Sequence, residues 1–169
     1  KKIFLVDKVY AIESFQKRLN ELADSSKTLY FDFKADGCEV DLFKMYKNIP
    51  NHKDLSYMIQ KMRLIKSKSE IELIKKSVDI AKDAHHRVMK FNKVDKLEYQ
   101  IQAEIEHSFR SSGAYSDAYT SVVAGGNNAN TLHYIQNSMK LKGDELILID
   151  AGCEYKYYAS DITRTIPVS

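Results

Sequence analysis

Asp150 and Asp161 are the residues whose type and spacing point most directly to chemistry. Asp150 ends the apolar run Leu146-Ile147-Leu148-Ile149 and is followed by Ala151-Gly152. Such a run predicts a strand buried on both faces, and a carboxylate at its end is costly unless it is paired or bound to a cation. Asp161 follows within Tyr157-Tyr158-Ala159-Ser160-Asp161-Ile162-Thr163-Arg164-Thr165-Ile166, a stretch of β-branched and aromatic residues suited to a second strand. If the two strands form a hairpin turning at Tyr155-Lys156, Asp150 lies directly opposite Asp161, with Cβ atoms roughly 4.5–5.5 Å apart on one face. A one-residue slip would throw them to opposite faces. Two carboxylates that close repel one another. A hard divalent cation held by oxygen ligands, such as manganese, magnesium or cobalt, relieves that repulsion. The Tyr-Lys turn lacks the Asn-Gly type that fixes a hairpin register. Spacing alone therefore leaves open that Asp150 caps a turn and Asp161 is exposed on an edge strand.

The elements that must position this pair divide into two blocks. Residues 1–60 read as a small α/β piece: a strand at 3–6, a helix over 9–23, a strand over 28–33, a turn at Asp36-Gly37 and a helix over 39–48. A connector or short strand over 56–65 leads to the second block, with the domain boundary placed at 60/61. Ser67-x-x-Glu70 fits a capping box, and Ile71, Ile74, Val78, Ala81, Val88 and Met89 mark an apolar helical face to about residue 91. Asp95-x-x-Glu98 repeats the acidic cap before a second helix that Gly113 stops. Strands are expected at 118–124, 131–136, 145–151 and 157–168, with turns at Gly125–Asn128 and Lys142–Asp144. Helices followed by antiparallel strands predict an α+β layer with the helices on one sheet face.

Composition narrows the class. The 169 residues carry a net charge of +3, with Lys and Glu interspersed, which argues against a nucleic-acid footprint. No run is long and apolar enough to span a membrane, and no signal peptide opens the chain. Cys38 and Cys153 lie far apart, so free thiols in a cytoplasmic setting are the simplest reading. The chain begins without Met, directly in a strand-like run, and stops just after another, so an internal piece of a longer protein is expected. Gly125-Gly126 matches neither phosphate-binding glycine pattern. No Ser or Cys sits in a nucleophile elbow. His52, His85, His86 and His107 read as solvated or structural, and His133 and Tyr119 on their own as strand residues.

The wording of the motifs adds a resemblance. Asp150-Ala-Gly-Cys-Glu-Tyr followed by Asp161-Ile-Thr-Arg-Thr-Ile-Pro-Val resembles the pita-bread metallopeptidases, and within them the Xaa-Pro aminopeptidase (aminopeptidase P) family. The likeness continues through Leu132-His133-Tyr134, Gly125-Gly126-Asn127, Tyr119 and Met62-Arg63-Leu64-Ile65-Lys66-Ser67. It is strong from about residue 60 onward and weak before that. It implies the first half of a pita-bread catalytic domain (61–169) preceded by the end of a small α/β N-terminal domain (1–60). It also implies two divalent metal ions, usually manganese with cobalt or zinc as alternatives, held by two Asp, one His and two Glu. Asp150 matches the ligand of one metal and Asp161 the bridging ligand. His133 matches a catalytic, substrate-contacting histidine, and Tyr119 a substrate-lining tyrosine. The implied substrates are peptides with proline at the second position, and the implied state is a homo-oligomer.

None of Ile162–Ser169 is His or Glu, so these 169 residues are expected to lack part of the metal site and to be nearly inactive alone. Half of a pita-bread fold leaves sheet edges exposed, so self-association is also expected. Prolidase is the nearest enzymatic alternative. Methionine aminopeptidase, with no N-terminal piece like residues 1–60, is a more distant one. A non-catalytic pita-bread binding module is the alternative from another class.

Overall fold

The computed structural model describes residues 6–25, 28–31, 49 and 51–169. The strand expected at 3–6, the turn at Asp36-Gly37, the helix at 39–48 and Cys38 lie in whole or part outside them. The chain divides into two compact units, residues 1–65 and 66–169. In the first, a 3-10 turn at Ile12–Ser14 leads into helix α1 (Phe15–Asp24), so the helix begins later than its spacing predicts. Strand β1 (Thr28–Phe31) pairs in parallel with β2 (Asn51–Asp54), a strand the sequence reading missed. The segment read as a connector or strand is instead helix α2 (Ser56–Leu64). The Asp54 carboxylate accepts from the Ser56 backbone N–H at 2.8 Å, satisfying one of the donors that a helix start leaves free.

In the second unit, α3 (Lys68–Phe91) opens on the capping box foreseen for it. The Glu70 N–H donates to Ser67 Oγ at 3.3 Å, and the Ser67 N–H donates to Glu70 Oε2 at 2.6 Å. The buried stripe runs Ser77, Ile80, Ala81, Ala84, His85, Val88, at helical spacing. It is rotated from the predicted face, because Ile71 and Val78 are exposed. Small side chains at Ser77, Ala81 and Ala84 bring the helix close to the strands it covers. Helix α4 (Glu98–Ser111) buries Ile101, Ile105 and Phe109, and Gly113, at φ +89°, follows it in a conformation that favours glycine. The acidic-cap reading of Glu98 was wrong. Leu97 is the N-cap, with its N–H donating to the Gln100 side chain, and Glu98 points inward, fully buried.

The strands of this second unit form two three-stranded antiparallel sheets. One has the order β3 (Ser116–Asp117), β6 (Cys153–Tyr155), β7 (Tyr158–Ala159), and the other β4 (Val122–Gly125), β5 (Leu146–Ala151), β8 (Ile162–Pro167). Of the strand expected at 118–124 only 122–124 forms, in β4, and that expected at 157–168 is split. Residues 126–139 form no strand: a 3-10 turn at Gly126–Asn130 opens an irregular strap, so the expected strand at 131–136 is corrected.

Strand β5 alternates. Ile147, Ile149 and Ala151 are buried in one cluster with Val88, Ile101, Ile105 and Phe109, while Leu146 is 57% exposed. Full burial of Ile147 and Ile149 contributes about 1.5–3 kcal/mol each. Burial on both faces does not hold among the described residues, since the helices cover one side. Asp150 belongs to the other.

Candidate metal centre

The hairpin that carries the two aspartates turns at Lys156-Tyr157, not at Tyr155-Lys156. Both residues have positive φ, 48° and 71°, which gives the two-residue turn whose twist suits a hairpin. The register shifts by two, so Asp150 pairs with Thr163 rather than with Asp161. A shift of two keeps both carboxylates on the same face, which a shift of one would not. Asp161 sits one residue before β8, diagonally across from Asp150.

Gly152 makes that placement possible. The chain leaves the β5–β8 ladder at Gly152 on one side and at Ser160-Asp161 on the other. A Cβ built on Gly152 would lie 1.8 Å from the Ser160 carbonyl oxygen and 3.2 Å from the Asp161 nitrogen. Only glycine permits this approach. The crossing is locked by the Cys153 N–H, which donates to Ser160 Oγ at 3.0 Å, and by the Ser160 N–H, which donates to the Cys153 carbonyl at 3.0 Å.

The carboxylates converge on one hydroxyl. Tyr119 Oη lies 2.6 Å from Asp150 Oδ1 and 2.9 Å from Asp161 Oδ1. Those two contacts laid end to end bound the separation of the two oxygens. The ring is placed by its neighbours: the Ala118 N–H donates to the Gly152 carbonyl at 3.0 Å, and Val122 pairs with Asp150. A phenol has one proton to give, so a single hydrogen serves two acceptors. Burial, then the hydrogen bonds to Asp150 and Asp161, push the Tyr119 hydroxyl well above the usual phenol range and keep it a neutral donor. Among the described residues neither carboxylate forms an ion pair.

His133 faces the same space. A cleft of about 390 Å³ is lined by Tyr119, Thr120, Val122, His133, Ile135, Asp150 and Asp161, so all four candidate residues border one cavity. His133 lies in the strap with φ +53°, not in a strand. Of the other histidines, His85 is buried and its Nε2 lies 3.2 Å from the Ala151 carbonyl, behind the strand that carries Asp150. His86 and His107 are exposed. Cys153 is a buried free thiol.

Two acidic side chains sharing one donor, without a cationic partner, offer hard oxygen ligands to a divalent ion, so the residues present fit a metal. They do not complete a site, because among the described residues no group of three or more His, Cys, Asp or Glu gathers around one point.

Residues 72–169 match metallopeptidase family M24. The chain belongs to this family. It is 37% identical over 166 residues to the Xaa-Pro aminopeptidase of Haemophilus influenzae, covering 97% of this chain and 38% of that protein. Among solved structures it is similar to proline aminopeptidase P II from Yersinia pestis, with TM-score 0.87 and 34% identity over 97% of this chain and 40% of that one. It is also similar to aminopeptidase P from E. coli with the inhibitor Pro-Leu, with TM-score 0.89 and 32% identity over the same shares. The chain thus spans about two fifths of the length of these relatives. The fold is α+β and corresponds to part of the pita-bread architecture of family M24. The family implies divalent metal cofactors. Among the described residues, no helix is long and apolar enough to cross a membrane.

What sequence reasoning missed is the support around the site. Gly152 was read only as part of a motif, and buried Glu98 was given no role in placing the segment that carries His133. The signal for Gly152 was its place between a strand end and the second aspartate. Buried Glu98 announced itself by nothing in the sequence.

Proposed function

We propose that the protein containing this chain is a dinuclear metallo-exopeptidase that hydrolyses the bond between an N-terminal residue and a following proline. The observation that carries the reading is the convergence of Asp150 and Asp161 on Tyr119 in a cleft shared with His133, in a family M24 chain whose similar relatives are named Xaa-Pro aminopeptidases. Asp150 would hold one metal and Asp161 would bridge two, with manganese the proposed ion and cobalt or zinc as alternatives. When bound, such ions lower the pKa of a water to near neutrality and polarise the scissile carbonyl. Tyr119 orients both carboxylates through its hydroxyl, as outer hydrogen-bond partners of metal ligands do, and lines the cleft beside the substrate. His133 contacts the substrate from the strap side of the cleft.

Residues 1–60 are proposed to end the N-terminal domain and residues 61–169 to form the first part of the catalytic domain. The 169 residues alone would bind metal weakly and turn over little, because among the described residues no third His, Cys, Asp or Glu joins the two carboxylates. A homo-oligomer is proposed for the whole protein. A cytoplasmic setting is proposed on the strength of the free thiol of Cys153. No nucleic-acid partner is proposed.

The test is hydrolysis by the full-length protein, supplied with Mn²⁺, of a tripeptide with proline second, of the Xaa-Pro dipeptide, and of a tripeptide with alanine second. The reading expects cleavage of the first above the others and its loss with a chelator. Preference for the dipeptide would favour prolidase, and no cleavage by metal-loaded protein would favour a binding module.

A further inference from the structure

The strap that carries His133 is irregular and polar, yet one side chain holds it at three points and also holds Gly125, the β4 residue that leads into it. Glu98, the first residue of α4, is fully buried. Its Oε1 accepts from the Gly125 N–H at 2.8 Å and from Asn128 Nδ2 at 2.8 Å. Its Oε2 accepts from the Tyr134 hydroxyl at 2.7 Å and from the Met139 N–H at 2.9 Å. The Glu98 N–H in turn donates to the Met139 carbonyl at 2.9 Å. All four side-chain contacts come from N–H or O–H donors, so the carboxylate acts only as an acceptor, with two donors on each oxygen. A buried polar group this fully satisfied fixes the geometry around it, and one left partly satisfied is costly.

We propose that Glu98 is a positioning residue: by binding Gly125, Asn128, Tyr134 and Met139 it sets the course of the 126–139 strap and holds His133 over the cleft of Asp150 and Asp161. The placement rests on adjacency. Tyr134, an anchored residue, is buried and adjoins His133 in sequence. Its hydroxyl also receives Asn128 Nδ2 at 3.1 Å, so the two walls of the strap are tied through the same carboxylate. His133 sits between this anchor and exposed Leu132 with a positive φ that the chain would leave readily without it. Glu98 touches neither aspartate in any bond described, so its effect passes through the strap and not through the metal ligands. The inference rests on the reading of His133 as a substrate-contacting group.

Glu98→Gln separates the carboxylate from its shape. Each oxygen holds one backbone N–H, which cannot reverse, so either orientation of the amide sets an NH₂ group against a backbone donor. Tyr134→Phe, which removes one donor to Glu98 and the acceptor of one Asn128 bond while leaving both backbone contacts of the carboxylate, is the gentler second variant and should quicken strap exchange less than Glu98→Gln does. Two measurements on the full-length protein decide the matter. The first is amide hydrogen exchange of the metal-free protein. Exchange at Gly125 and Met139 should quicken by about tenfold or more in Glu98→Gln, with β5 and β8 unchanged. Unchanged exchange in the strap would overturn the proposal. The second is a double-mutant cycle on kcat with Mn²⁺. Glu98→Gln should lower kcat by roughly tenfold to a hundredfold when His133 is present, and by under about threefold in a His133→Ala background. Equal losses in both backgrounds would assign Glu98 a merely structural role and overturn the proposal. If His133→Ala itself leaves kcat unchanged, the reading of His133 fails, while the exchange data still decide whether Glu98 fixes the strap.

Discussion

Gly152 passes so close to Ser160 that a Cβ on the glycine would lie 1.8 Å from the Ser160 carbonyl oxygen. This contact, and not a hairpin register alone, brings Asp161 alongside the end of β5. Gly152→Ala must displace the backbone that carries Asp161. It should destabilise the protein by roughly 3 kcal/mol or more and abolish Mn²⁺ binding. Gly143→Ala is the control: its Cβ would meet only Val94, at 3.6 Å. Denaturant unfolding and metal titration of both variants check this, and a well-folded, metal-binding Gly152→Ala would contradict it.

Tyr119 offers one proton to two carboxylates, so Tyr119→Phe removes the group that steadies both. Hydrogen bonds to charged groups are worth about 1.5–3 kcal/mol, and the metal-free protein should lose about that much or somewhat less. Losing such an outer partner typically costs about 10–100-fold in metal affinity or activity. Calorimetric titration of the full-length variant with Mn²⁺ should show at least the lower figure, and an affinity equal to that of the parent would count against the assigned geometry.

His85 supplies a pH dependence. Burial is the largest influence on it and holds its pKa below the ordinary value of 6.5, with the contact to the Ala151 carbonyl opposing in part. The folded state then binds the imidazole proton less tightly than the unfolded chain. The unfolded state takes up more protons as pH falls through 6.5, and stability declines with it. Stability curves between pH 5 and 8 should show this decline in the parent protein and a flatter profile in His85→Gln. A decline of the same size in His85→Gln would assign it to other groups.

The parts of the fold legible in the sequence are those governed by neighbours along the chain. Ser67 and Glu70 announce the start of α3, because a capping box is written within four residues. Gly113 follows α4 because it takes a φ of +89° that other residues avoid. The errors have equally local causes. Thr131, Tyr134 and Ile135 look like strand residues, yet the strap is shaped by Glu98, a buried acceptor some thirty positions away in sequence. Helix α2 was missed because its N-cap, Leu55, is no capping residue type and makes no side-chain cap hydrogen bond. The register was misjudged by two because neither Lys156 nor Tyr157 is a residue type that marks a positive-φ turn. The face shared by Asp150 and Asp161 survived that error because two is the period of a strand.

The most direct test is an anomalous difference map, at the manganese absorption edge, from crystals of the full-length protein grown with Mn²⁺. The account expects density in contact with the carboxylates of both Asp150 and Asp161, on the cleft side facing His133. Bound manganese elsewhere, with those two side chains left to Tyr119 alone, would contradict it.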